Sequence, residues 1–164
     1  MGIKVWQPYL DENKTQKMKF GGFSVRSFDV PHDDESCCGF LIECPNGEQL
    51  LYASDLEYCK YSFAKMGLNH ILIECNYQQD LVNKDLPNYE HKIRGHLSLS
   101  ACKEFIRTNT TDRLKTVILC HLGQDTTNPE ECVAEVKKVV NQGVYVDYAR
   151  KGLEIELRTD ECPF

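Results

Sequence analysis

Apolar and polar residues alternate with period two over Phe23–Val30, the pattern of a strand with one buried face. Pro31 is expected to end that strand. The polar stretch 7–19, with Lys14, Lys17 and Lys19, reads as a loop entering it, and Gly21-Gly22 reads as a turn or bulge. Phe40–Cys44 and Gln49–Tyr52 flank Pro45-Asn46-Gly47, a hairpin signal. The continuous apolar runs His70–Cys75 and Thr116–Cys120 read as buried strands. Val144–Val146 and Leu153–Leu157 complete the set, with Lys151-Gly152 turning between them.

Helical spacing appears between these strands. Ser98 is placed to cap a helix running to about Arg107, with Ala101, Cys102, Phe105 and Ile106 on one side. Asn128-Pro129-Glu130-Glu131 is a start signal: Asn128 as N-cap, Pro129 at the first helical position and Glu131 closing a capping box. Val133, Val136, Val139 and Val140 then share a face until Gln142-Gly143. The stretch from Asp55 to about Met66 reads as a short helix or irregular chain. The fold class is α/β, with strands outnumbering helices.

Composition narrows the function classes. The 164 residues suffice for one domain, residues 1–164, with its own core. A net charge of -6 argues against a broad basic nucleic-acid surface, though not against an enzyme that holds a few phosphates in a cleft. No apolar run approaches the roughly 18 residues of a membrane span, and Met1–Lys14 has no apolar segment of the signal-peptide kind. Nine cysteines, an odd number with no Cys-x-x-Cys pair, read as reduced core thiols of a cytoplasmic protein.

Chemistry concentrates where apolar strands stop. His32 follows the first strand, Asp55 follows Leu50–Ser54, Glu74 and Asn76 leave the HILIEC run, and His121 follows TVILC. Ligands gather at the carboxyl ends of strands in open α/β sheets, and imidazole and carboxylate are ligands that zinc, manganese and iron accept. Spacing alone leaves bland readings open. His32 fits a turn, Asp55 an N-cap, His121 a satisfied core position and Glu74 a carboxylate paired with a cation, while His70 and His91 read as surface residues.

Taken in order, Phe28-Asp-Val-Pro-His-Asp, Gly39-Phe-Leu-Ile, Tyr52-Ala-Ser-Asp, Ile73-Glu-Cys-Asn-Tyr, Gly95-His-Leu-Ser, Cys120-His-Leu-Gly and Lys151-Gly-Leu-Glu-Ile-Glu-Leu resemble the metallo-β-lactamase superfamily. The branch is the phage and bacterial metallohydrolases similar to tRNase Z and related phosphodiesterases. The resemblance implies that His32, Asp55 and His121 are metal ligands, with Asp55 bridging two ions. It implies that His96 is a non-ligand catalytic histidine for phosphate contact or proton transfer, and that Glu74 and Asn76 orient ligands. The implied cofactor is zinc, or manganese or iron. The implied chemistry is hydrolysis by a hydroxide activated between two metals, on a phosphodiester such as a nucleotide or nucleic acid.

The superfamily's His-x-His-x-Asp-His element is absent from this sequence, and only about 20 residues precede the resemblance. The expectation is therefore a partial αββα sandwich, mainly its C-terminal sheet and helices, without the N-terminal half. Three protein ligands are what one catalytic zinc takes, so a filled two-metal centre is not expected and the chain should be inactive alone. Expected partners are the missing N-terminal half, or a second copy meeting it through the exposed sheet. The chain then reads as a fragment or one half of a split hydrolase. The alternatives are a non-catalytic interaction or regulatory module, or a mononuclear metal-binding protein.

Overall fold

The computed structural model describes residues 17–33 and 35–157. These form a seven-stranded mixed sheet in the order β1 to β7. Its strands are β1 Lys17–Phe20, β2 Phe23–His32, β3 Glu35–Glu43, β4 Gln49–Ala53, β5 His70–Glu74, β6 Thr116–Cys120 and β7 Tyr145–Tyr148. The first four pair as an antiparallel meander, and β4 through β7 are parallel. Three helices lie in the crossovers: α1 Tyr89–Gly95, α2 Leu99–Asn109 and α3 Pro129–Lys137. Strand β2 runs in the same direction as β4, β5 and β6, so the carboxyl ends of all four share one edge of the sheet.

One face of the sheet carries the core. Phe28, Val30, Leu41, Leu51, Ala53, Ile71, Ile73, Val117, Leu119 and Val146 project to the same side and pack with Cys102, Phe105 and Ile106 of α2 and Cys132 and Val136 of α3. On the other face the register aligns Val25 with Ile42, Ile42 with Leu50, Tyr52 with Leu72 and Leu72 with Ile118. Val25 and Ile118 are buried there, whereas Tyr52 is 38% exposed.

The local rules hold with instructive exceptions. Ser98 caps α2 by accepting from the Ala101 N–H, and Asn128 caps α3 by accepting from the Glu131 N–H. Half of the expected capping box is replaced: the Asn128 N–H goes to the Gln78 side chain at 2.6 Å instead of back to Glu131. α3 ends at Lys137, earlier than its valine spacing suggests, yet Val139 and Val140 still pack on the core. Pro31 does not end β2, which continues to His32. β1 pairs only with residues 23–26, so Pro31 lies where β2 has no β1 neighbour, and a missing N–H is tolerated at an edge. The stretch 153–157 forms no strand. Of the expected loop 7–19, residues 7–16 lie outside the described ones, and Lys17–Lys19 belong to β1.

His70 is buried at 1% exposure, a correction to its surface reading. Its Nε2 lies 3.1 Å from Glu48, which also accepts from Lys115 at 2.8 Å and from Asn46. This network joins the amino-terminal ends of β5 and β6 to the β3–β4 hairpin, opposite the edge where His32, Asp55 and His121 lie. The remaining polar atom, His70 Nδ1, is buried with no hydrogen-bond partner. Burial pushes the Glu48 carboxyl up, but the hydrogen bonds from Lys115, His70 and Asn46 outweigh it and hold the group at about 2, below its ordinary 4.5. A depressed carboxylate stabilises the fold above its unfolded pKa and loses that contribution as pH falls through the folded value. Glu48→Gln should therefore cost about 1–3 kcal/mol at neutral pH and flatten the decline in urea midpoint between pH 4.5 and 2. A variant that keeps the wild-type acid slope would contradict this role.

Candidate metal centre

Among the described residues, three non-glycine positions adopt left-handed backbone: Asp33 at φ 46°, Asp55 at φ 55° and His121 at φ 49°. All three follow the carboxyl end of a strand on the same edge, after β2, β4 and β6. Such backbone costs on the order of 1–3 kcal/mol and persists only where surrounding contacts enforce it. Here it turns the chain sharply, so that side chains from separate strands meet.

Those from the turns after β4 and β6 meet beside Glu74, the last residue of β5, which is fully buried. Glu74 Oε2 accepts from the Leu56 N–H at 2.9 Å, and Oε1 accepts from His96 Nδ1 at 2.7 Å. His121 Nδ1 lies 3.2 Å from the same Oε1 and 3.1 Å from Asp55 Oδ1. A buried carboxylate is tolerable when its lone pairs are met in this way. An imidazole whose Nδ1 donates to a carboxylate can offer Nε2 to a metal ion when the ring is neutral.

Donor atoms of Asp55, His96 and His121 lie within 4.8 Å of one another. Two imidazoles and a carboxylate on a buried carboxylate support match the donor set of a three-ligand catalytic zinc, and of manganese or iron(II). The residues present therefore fit one ion. His32 stands beside this group and not within it. Its ring centre is 5.1 Å from that of His96, and its Nδ1 bonds to the Gly95 carbonyl at 2.6 Å. Of the three ligands implied by the resemblance, Asp55 and His121 are in the cluster; its third member, His96, is the one that the resemblance implies as a non-ligand.

The support around the cluster is dense. Asn76 Nδ2 donates to the His121 carbonyl at 2.9 Å, and Asn76 Oδ1 accepts from Lys92 at 3.0 Å. The Asn76 carbonyl accepts from the Gly123 N–H and the Thr126 hydroxyl. A Cβ on Gly123 would sit 2.3 Å from Thr126 Oγ1 and 2.6 Å from the Asn76 carbonyl, so only glycine fits after His121-Leu122. On the other flank a Cβ at Gly95 would sit 2.8 Å from the His32 ring.

His91 and α1 are the parts the sequence did not suggest. Residues 89–95 carry no apolar periodicity, and Asn88 makes no side-chain cap bond, so the one available signal, a capping residue after Pro87, is weak. His91 is exposed, as its surface reading expected, yet its ring packs 5.8 Å from His32 and 5.6 Å from His96, centre to centre. A surface cavity of about 770 Å³ beside Thr116, Tyr145 and Glu154 includes none of these residues. The thiols take no part: all eight described cysteines are free, and burial pushes Cys59 and Cys120 up to about 11.

Known structures with this arrangement of strands were found. The chain superposes on a metallo-β-lactamase fold protein, YhfI of Bacillus subtilis, with a TM-score of 0.62 at 18% identity, covering 84% of this chain and 51% of that one. It has the metallo-β-lactamase fold. Unliganded yeast PDE1 matches this metallo-β-lactamase-fold chain at a TM-score of 0.57 and 16% identity, covering 84% of it and 46% of PDE1. A diphosphatase of the PhnP family matches at 0.59 and 14% identity, covering 87% and 47%. The chain thus spans about half the length of these structures and corresponds to part of the fold. No protein-family model matches its sequence, and no curated protein sequence does.

The left-handed turn at Asp55 can be tested without any ligand. Glycine adopts that backbone without steric cost and alanine does not. In metal-free protein, Asp55→Gly should be more stable than Asp55→Ala by about 1 kcal/mol in denaturant melts. Asp55→Ala as the more stable variant would show that the turn carries no strain.

Proposed function

We propose that this chain is the metal-binding portion of a metal-dependent hydrolase of phosphodiesters, the substrate being a nucleotide or nucleic acid or a compound of like chemistry. The carrying observation is the Asp55–His96–His121 donor group, mounted on buried Glu74 and reached through strained strand exits. The metallo-β-lactamase fold and the likeness to a diphosphatase support the reading.

Asp55, His96 and His121 would hold one zinc, manganese or iron ion, and Glu74 would fix both imidazoles for it. A bound ion there supplies Lewis acidity and lowers the pKa of a coordinated water. Asp55 carries the negative charge of the group. Asn76 holds the His121 backbone in place. His96 cannot give its Nε2 to an ion and use it to move a proton, and its closeness to Asp55 and His121 supports reading it as a ligand. His32, with its Nδ1 on the Gly95 carbonyl and its ring beside His96, would be the next donor to join the coordination from β2.

A full two-metal centre needs more donors than this cluster holds, so the chain alone is expected to turn over little or nothing. The sheet face bearing Ile42, Leu50, Tyr52 and Leu72 is the surface on which a complementary half would pack, with a second copy of the chain as the alternative occupant. Reduced thiols fit a cytoplasmic location. Among the described residues, no helix is long and apolar enough to cross a membrane. The competing reading is a non-catalytic interaction or regulatory module that keeps this architecture.

Metal binding separates the two. Elemental analysis should find one divalent transition metal per chain, and His96→Ala should weaken zinc by more than about 100-fold, while His32→Ala costs less. A chain that binds no metal under any loading condition would favour the module. Two tightly held ions would overturn the single-site account, and a larger loss in His32→Ala would restore His32 as the third ligand.

A further inference from the structure

The helix α1 is tied to the centre on both sides. Its Gly95 carbonyl takes the His32 imidazole, its Arg94 carbonyl takes the Asp33 N–H at 3.3 Å, and its Lys92 reaches Asn76 at 3.0 Å and Thr126 at 3.1 Å. These contacts place His91 at the mouth of the site, with its side chain 59% exposed. His91 Nδ1 bonds to Asp33 Oδ2. The pair repeats the His96–Glu74 arrangement one step further out, and the rings of His121, His96, His32 and His91 follow one another at 5.0, 5.1 and 5.8 Å.

Packing does not account for this histidine. An exposed ring on a seven-residue helix buries little apolar surface, yet the ring is held by a carboxylate whose own residue, Asp33, sits in left-handed backbone. With Nδ1 turned to Asp33, Nε2 is the nitrogen left to meet a ligand, and among the described residues no hydrogen bond reaches it. An imidazole that donates from both nitrogens bridges a carboxylate on one side and a phosphoryl oxygen on the other. Lys92, by contrast, is spent on Asn76 and Thr126 and serves to hold the His121 turn.

We propose that His91 is a substrate-contacting residue, its Nε2 binding a phosphoryl oxygen of the substrate seated at the Asp55–His96–His121 centre, with Asp33 as its positioning residue. The proposal rests on the hydrolase reading and adds a residue to it.

The test uses the zinc-loaded chain and inorganic phosphate. Zinc affinity is measured first, then phosphate binding by calorimetry, with the imidazole carbon-bound protons followed by NMR. His91→Ala should hold zinc as the wild type does and bind phosphate about tenfold more weakly, the loss of one charge-assisted hydrogen bond. His91→Gln, which keeps an N–H donor, should recover part of that affinity, and the His91 signal of the wild type should move on phosphate addition. Equal phosphate affinity in His91→Ala, or a His91 signal that stays fixed while phosphate binds, would overturn the proposal and leave the hydrolase reading intact. Loss of zinc in His91→Ala would also overturn it, by making His91 part of the metal support. A wild-type chain that holds zinc but takes no phosphate would sink both.

Discussion

A carboxylate with no solvent exposure at the end of a central strand is stable only if its oxygens are met from several directions at once. Glu74 is met by the Leu56 N–H, His96 and His121, which come from the connection after β4, the segment between α1 and α2, and the connection after β6. Three crossovers of the sheet therefore converge on one side chain. This constraint links fold to site: closing the connections correctly satisfies Glu74, and satisfying Glu74 fixes the two imidazoles beside Asp55. Removing the carboxylate would disturb the structure and the donor group together.

The same edge of the sheet holds the three left-handed non-glycine residues. Strain placed there is consistent with a surface shaped for binding more than for stability. The opposite edge is organised the other way. Glu48, His70 and Lys115 form a compact hydrogen-bonded network around a deeply buried imidazole, and its service is to join the β3–β4 hairpin to the parallel strands. One end of the sheet thus supports stability, and the other gathers strained, hydrogen-bonded groups with candidate metal donors among them.

Much of this was legible in the sequence where chemistry is written locally. Period-two alternation located β2, apolar runs located β5 and β6, and capping residues located the starts of α2 and α3. The strand-exit residues His32, Asp55, Glu74 and His121 stood out because polar groups directly after buried strands must face an edge. What stayed hidden depends on distant partners. His70 looks like a surface histidine until Glu48, 22 residues away, is brought beside it. α1 has no apolar stripe and is held by His32 and Asn76. The Glu131 half of the capping box was lost because Gln78, 50 residues upstream of Asn128, took the N–H first. That His96 comes as close to Asp55 and His121 as it does was hidden in the same way, since it is Glu74, 22 residues away, that holds its Nδ1.

The account comes down to one location for one ion, on a part of the metallo-β-lactamase fold. Anomalous diffraction at the zinc edge from crystals grown with zinc tests it most directly. The account predicts a single strong peak bonded to Asp55, His96 and His121, with Glu74 behind the two imidazoles. A peak bonded to His32 in place of His96, or no peak at this edge of the sheet, would contradict it.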